Sequence, residues 1–295
     1  MVMNLARPQN TRYILEKFGI RARKRYGQNF LVDESVVNAV IDGSGVTEDD
    51  TVLEIGPGIG TMTGYLARRA GRVVCIEVDE TLSPVLAETL EGLENVEVIF
   101  EDVLKADLEN VLAEDIAGGK RIHVVANLPY YVTTPIILHL LSYKGLFDSI
   151  TLMVQKEVAE RVIAGPGTKT YGALSLAVQY YADPVIIGDV PPASFIPRPG
   201  VDSAILHMEA YGEPPVDAPA DALFCVIRAS FNQRRKTLAN GLTSGMAACG
   251  ASRNPSRAEV EEALKDLGLD QNIRGEKLSL EEFSRITKHL EGCFF

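Results

Sequence analysis

The chain has no tryptophan, only four cysteines and four histidines in 295 residues, and no long apolar run. Each shortage excludes something. A bilayer-spanning helix needs about 18 or more apolar residues in succession, and no stretch of that kind is present. Cys75, Cys225, Cys249 and Cys293 lie far apart without a Cys-x-x-Cys spacing. Neither a zinc site nor a disulfide framework is expected, and a reducing compartment fits. His123, His139, His207 and His289 are equally scattered and receive no chemical role, so no metal is expected. The first 18 residues mix Arg, Gln, Asn and Glu with no apolar core, which argues against a signal peptide and for a cytoplasmic protein. Cations are also short: 29 Lys and Arg against 40 Asp and Glu leave a net charge of -11. That balance disfavours a nucleic-acid partner until its distribution is considered. Residues 1–30 carry seven cations against Glu16 alone, residues 214–295 are balanced, and the body between them is left at -17. An acidic body with local basic patches can still hold phosphate at those patches.

What is present is an ordinary globular composition, 46% hydrophobic and 23% charged, able to bury a sizeable core. A short apolar run at 51–55 stops at Gly56, and similar runs follow at 72–78, 96–101, 121–126 and 150–155. Helical segments such as 62–70 and 135–141 lie between them. Buried strands alternating with helices predict a parallel α/β sheet. Two later runs, 185–190 and 203–209, flank a turn rich in Pro and Gly and are read as antiparallel to each other. After Tyr211 the sequence changes character. Gly212-Glu213-Pro214-Pro215 reads as a linker, and helices are expected over 222–242, about 257–267 and about 280–290. Ser256 with Glu259 and Ser279 with Glu282 form two capping boxes, and Gly268 suits a C′ position. The expected architecture is a Rossmann-like α/β domain over residues 1–211, its mostly parallel seven-stranded sheet carrying an antiparallel late strand. A small all-helical domain follows over 212–295.

Three strand ends carry residues that suit a nucleoside-containing ligand. Glu54-Ile55-Gly56-Pro57-Gly58-Ile59-Gly60 follows the first strand. A dinucleotide fingerprint needs Gly-x-Gly-x-x-Gly, and from Gly56 or Gly58 the third position is Thr61 or Thr63 instead. Gly-x-Gly-x-Gly with an acidic residue two places ahead resembles S-adenosylmethionine enzymes of the Rossmann-like class, whose ligand has no pyrophosphate. Glu77 ends the second strand, where a carboxylate can accept from both ribose hydroxyls. Asp102 ends the third, and in the enzymes resembled this position accepts from the adenine amine. Each feature alone is also what an exposed strand end or a tight turn looks like.

Asn127-Leu128-Pro129-Tyr130 ends the fourth strand. The lone pair of an aromatic amine is delocalised into its ring, so methylating it requires a shift toward tetrahedral geometry. Acceptors for each N–H favour that shift. The Asn127 side-chain oxygen and a backbone carbonyl near Leu128 or Pro129 supply two. Pro129 stiffens the turn and Tyr130 offers a face for a base to stack on.

Taken together these motifs resemble the ribosomal RNA small-subunit adenine dimethyltransferase family. Tyr26-Gly27-Gln28-Asn29-Phe30-Leu31 is similar to its N-terminal motif, and residues 127–141 to its catalytic motif and following helix. Residues 154–161 and 165–175, the Phe195-Ile196-Pro197-Arg198-Pro199 and Val201-Asp202-Ser203-Ala204 loop, and residues 230–238 resemble later family segments. The resemblance implies S-adenosyl-L-methionine-dependent dimethylation of two adjacent adenines near the 3′ end of small-subunit (16S) rRNA during ribosome assembly. It places Asn29 and Leu31 at the cofactor beside Gly56, Glu77, Asp102 and Asn127, and sets Phe195 across the target base from Tyr130. RNA is expected to meet Arg21, Arg23, Lys24 and Arg25, and Arg234, Arg235 and Lys236. The partner is then an assembling small subunit, with no membrane and no obligate protein partner. Three rivals stay open: a large-subunit adenine dimethyltransferase of the macrolide-resistance type, an assembly factor without activity, and a DNA adenine methyltransferase.

Overall fold

The computed structural model describes residues 3–21, 23, 27–233 and 235–294. Helix α1 (Pro8–Lys17) opens the chain and is followed by a two-residue strand β1 (Phe30–Leu31) and α2 (Glu34–Gly43). Then strands and helices alternate: β2 (Thr51–Ile55), α3 (Thr63–Leu66), β3 (Arg72–Glu77), α4 (Ser83–Thr89), β4 (Val96–Phe100), α5 (Leu108–Val111), α6 (Ala113–Ala117), β5 (Ile122–Asn127), α7 (Thr133–Ser142) and β6 (Ser149–Gln155). Next come α8 (Lys156–Val162), α9 (Ala173–Tyr181), β7 (Ala182–Val190), a second two-residue strand β8 (Phe195–Ile196) and β9 (Ser203–Ala210). Helices α10 (Ala220–Asn232), α11 (Leu238–Gly245), α12 (Arg257–Asp266) and α13 (Leu280–His289) complete the chain.

The main sheet has seven strands in the order β4-β3-β2-β5-β6-β9-β7. β2 pairs in parallel with β3 and β5, β3 with β4, and β5 with β6, while β9 runs antiparallel to β6. Strands covered on both faces should read as continuous apolar runs, and Val52, Leu53, Val73, Val74, Val124 and Val125 are fully buried. On one face Val37, Val40 and Ile41 of α2 and Leu66 of α3 pack onto Val73, Cys75 and Val125; a second cluster joins Ile14 of α1 to Leu82, Val85 and Leu86 around α4. Burial of such side chains contributes roughly 1.5–3 kcal/mol each. No helix among the described residues is long and apolar enough to cross a membrane.

The chain divides into two compact units, Met1–Ala159 with Asp183–Ala210, and Glu160–Ala182 with Tyr211–Phe295. The boundary therefore differs from a single cut at Tyr211. Residues 160–182 join the helical unit because Tyr171, Leu176 and Tyr180 are buried with Val226, Phe283 and Ile286 rather than on the sheet. The helix expected over 222–242 is broken in two. α10 stops at Asn232, Gln233 leaves helical geometry, and Thr237 restarts the helix as N-cap, its side chain accepting from the Asn240 N–H. Both capping boxes form, Ser256 with Glu259 and Ser279 with Glu282, and Gly268 has φ +69° just past α12. The helix expected at 62–70 shortens to α3, with turns continuing from it.

Candidate active site

The parallel strands deliver their carboxyl ends to one edge of the sheet, the place where open α/β folds bind ligands. A cavity of about 340 Å³ lies there, lined from the first unit alone. Gly56, Glu77, Asp102, Asn127, Leu128, Pro129 and Tyr130 all line it, and so do Asn29 and Leu31 from the N-terminal segment. Nine of the ten expected cofactor and catalytic residues are thus brought together. Phe195 is not among them. β8 pairs with β1 in the register Leu31↔Phe195, and the Phe195 ring is 2% exposed in the cluster with Leu31, Val36 and Val40. Its packing is that of an apolar anchor holding the late loop to the N-terminal segment.

The glycine turn leaves β2 with φ +68° at Gly56 and +59° at Gly58, a region that a side chain makes costly. That conformation aims the Gly58 N–H at Glu77 Oε2, 3.1 Å away, while Glu77 Oε1 accepts from the Asp79 N–H at 2.8 Å. Glu77 is 5% exposed. Burial pushes its carboxyl above the ordinary range, and the two amides offset this in part. Each oxygen keeps a further lone pair for a ligand. Asp102 is more open: its Oδ1 accepts from the Leu104 N–H at 3.1 Å, and Lys105 lies 4.0 Å from Oδ2.

The N-terminal segment reaches the Asn127 loop closely. A Cβ on Gly27 would sit 3.3 Å from Pro129 Cβ and 3.3 Å from the Tyr131 ring, and φ there is +56°. Asn127 Nδ2 donates to the Asn29 carbonyl at 3.1 Å, and Asn29 Nδ2 donates to the Gly27 carbonyl at 3.0 Å. The first of these bonds orients the Asn127 amide and leaves Oδ1 as its acceptor. The Pro129 carbonyl already accepts from the Val132 N–H and the Thr133 hydroxyl. Tyr130 is half-buried, and its hydroxyl is 2.7 Å from Ser203 Oγ; burial raises its pKa.

Several contributors gave no sequence signal. Asp79, 2% exposed, accepts from Gln28 Nε2 at 3.1 Å, from Arg23 at 3.2 Å and from Thr81. Arg23, expected to meet RNA, is therefore tied to a buried carboxylate in this structure. Arg21 is exposed, as are Arg235 and Lys236 in the helical unit. Lys24, Arg25 and Arg234 lie outside the described residues.

The cavity thus joins the acidic strand ends to the Asn127–Tyr130 loop. Residues 19–291 match the ribosomal RNA adenine dimethylase family. The chain belongs to that family. Two relatives, each called ribosomal RNA small subunit methyltransferase A, cover 96% of this chain and 96% of their own. That from Alkaliphilus metalliredigens is 47% identical and that from Lachnoclostridium phytofermentans 49%. Among solved structures, a dimethyladenosine transferase from Plasmodium falciparum superposes with a TM-score of 0.76 at 25% identity, covering 90% of this chain and all of that one. The 23S rRNA methyltransferase ErmE does so with 0.66 at 25% identity, covering 89% and 100%. The chain is an S-adenosylmethionine-dependent rRNA adenine dimethyltransferase of Rossmann-like fold.

The dimethylase cavity fits that cofactor by its own chemistry. Glu54, Glu77, Glu101 and Asp102 line it, and among the described residues no Lys, Arg or His does. Such a lining suits a ligand with a net positive charge and repels a pyrophosphate.

Proposed function

We propose that this dimethylase modifies two adjacent adenines near the 3′ end of small-subunit (16S) rRNA in an assembling subunit, in the cytoplasm and without an obligate protein partner. The observation that carries the chemistry is the Asn127–Asn29 hydrogen bond within the lined cavity. It supports a site whose catalytic amide is oriented before the substrate arrives. The small-subunit target is supported by near full-length relatives bearing that name.

Bound S-adenosylmethionine supplies an electrophilic methyl group on sulfur. In this reading Asn127 Oδ1 accepts one N–H of the target amine. The Leu128 carbonyl accepts the other, since that of Pro129 is already occupied. The two acceptors draw the nitrogen toward tetrahedral geometry, and the Tyr130 ring, fixed through Ser203, holds the base by stacking. No strong base is required, because the methylated cationic amine is acidic. Glu77 holds the ribose and Asp102 the adenine of the cofactor. Arg21, Lys24, Arg25, Arg234, Arg235 and Lys236 meet RNA phosphates. Arg23 contributes only if it exchanges Asp79 for phosphate.

The test is labelled methyl transfer to small subunits isolated from cells lacking this protein, with large subunits as control. Label on adenines of the small subunit alone is expected. Label on large subunits alone would move the enzyme to the other substrate class, and no transfer to either would remove the proposed activity.

A further inference from the structure

Glu54 is a buried acid of the cavity lining that the roles above leave unused. It stands in β2 with 1% exposure, yet it lines the cavity. On one side its register partner in β3 is Cys75, whose thiol donates to Oε2 at 3.5 Å. On the other side β5 presents Val125, which is apolar. Its second oxygen, Oε1, makes no hydrogen bond. Thr61, on the segment leaving the glycine turn, is buried with its hydroxyl equally unsatisfied and lines the same cavity. The remaining charged lining groups are Glu77, Glu101 and Asp102, all acidic.

A buried carboxylate with no cation and one empty acceptor is unfavourable, so the acid keeps its proton. Burial pushes the Glu54 pKa up to about 7, the Thr63 hydroxyl and Cys75 thiol lower it in part, and the charge of Glu77 raises it further. S-adenosylmethionine carries an ammonium, a sulfonium and one carboxylate, hence a net positive charge. Its demethylated product has lost the sulfonium charge. A positive charge within about 4–6 Å lowers the pKa of an acid by roughly 1–3 units.

We propose that Glu54 is the charge sensor of the cofactor cavity: it releases its proton to solvent when the sulfonium cofactor binds, and its ionised form favours that cofactor over the neutral-sulfur product. The carboxylic acid becomes a carboxylate and the proton passes to the buffer; no bond to the ligand is made. Dimethylation needs two methyl groups for each adenine, so product must leave and cofactor enter between transfers. An acid whose attraction weakens when the sulfonium charge is spent assists that exchange. The proposal rests on the cofactor assignment and not on the RNA target.

Isothermal titration calorimetry tests it, with S-adenosylmethionine and S-adenosylhomocysteine as ligands, at pH 6 and pH 8, in buffers of unlike ionisation enthalpy. For the wild type, the enthalpy of cofactor binding near neutral pH should depend on buffer with the sign of proton release. Cofactor affinity should rise about tenfold from pH 6 to pH 8, and product affinity should rise much less. Glu54→Gln should bind cofactor with a flat pH profile and no released proton, which separates Glu54 from Glu77 as the source. Binding without proton release in the wild type overturns the proposal, and so does an equal pH dependence for the two ligands. If Glu54→Gln folds and keeps the wild-type profile, another group is the sensor. If it does not fold, Cys75→Ala decides: losing the thiol donor to Glu54 should move the midpoint of proton release to higher pH, and an unmoved midpoint overturns the proposal. Failure of the wild type to bind cofactor at any pH would overturn the cofactor assignment together with the proposal.

Discussion

Glutamine at position 77 preserves the size of the side chain and inverts half of its hydrogen bonding. Glu77 accepts from Gly58 N at 3.1 Å and from Asp79 N at 2.8 Å, one on each carboxylate oxygen. An amide has one oxygen and one NH2, so in either orientation it sets N–H against N–H at one of these two places. With 5% exposure, water has little access to repair the loss. An orphaned buried donor costs about 1–3 kcal/mol. Against this, burial already raises the Glu77 pKa, so removing its charge relieves some desolvation. The net cost to stability should fall near the low end, about 1 kcal/mol. The ligand should feel a larger effect, because the glycine turn loses its anchor and, in the proposed role of Glu77, the ribose loses a charge-assisted acceptor. Loss of about 1.5–3 kcal/mol raises Kd for the cofactor on the order of tenfold to a hundredfold. Calorimetric titration reads Kd, and denaturant unfolding of the same preparation reads stability. Glu77→Ala should lose similar affinity. A Kd within about twofold of wild type in both variants would refute the argument and remove Glu77 from the ligand.

Asn127→Ala should lower the single-turnover rate by roughly 10²–10³ while RNA affinity changes little, and a full rate at saturating ligands would defeat the amide's role. Tyr130→Ala should lose on the order of 1–3 kcal/mol of base-holding energy, whereas Tyr130→Phe and Ser203→Ala should lose far less, since the hydroxyls only fix the ring; equal damage from all three would mean that the hydroxyl acts directly. Neutralising Arg234, Arg235 and Lys236 together should flatten the salt dependence of small-subunit binding by about 0.7–0.9 per lost phosphate contact, and an unchanged slope of log K against log salt would exclude that cluster from the RNA interface. Asp50 is a stability case at the opposite end of the strands. Burial raises its pKa, but hydrogen bonds from Thr47 and the charges of His123 and Arg121 outweigh this and leave it lowered. Its contribution is therefore present above the ordinary aspartate value and fades as pH falls through the lowered one. Asp50→Asn should destabilise at pH 7 and shrink the loss on acidification, as followed by urea unfolding at several pH values; parallel wild-type and mutant curves down to acid would refute the linkage.

The strand ends at the site were legible in the sequence because β2, β3 and β5 are largely apolar runs that stop at Gly56, at Glu77 and at the Asn-Leu-Pro turn. Six of the seven sheet strands directly follow a helix, so the alternation of apolar runs with helical segments was readable. Pairings between distant segments left no such trace. Phe30–Leu31 and Phe195–Ile196 are two residues each, too short to show a period, and Phe195 is buried at their pairing. The helix break after Asn232 contains neither Gly nor Pro. Its only mark was Thr237 ahead of Leu238, an N-cap hidden within an amphipathic run whose Phe224, Ile227, Phe231 and Leu238 all face one core. Charge was the least readable property. A cation count finds Arg23, but only the fold reveals that Asp79 already holds it.

The same limitation applies in reverse to the acidic body. A net charge of -11 says nothing about where the acids stand, and the structure sets four of them around one cavity with no described cation among the lining residues. RNA phosphates are repelled from such a mouth, so affinity for RNA must come from cations outside it, and the target base must enter as a neutral ring. The acids thereby separate two tasks. They admit a cationic cofactor and a neutral base, and they disfavour pyrophosphate-bearing ligands that the same Rossmann-like sheet accepts elsewhere when its glycine turn and lining differ. Specificity for the methyl donor thus begins with the charge of the cavity, before any hydrogen bond to ribose or adenine is made.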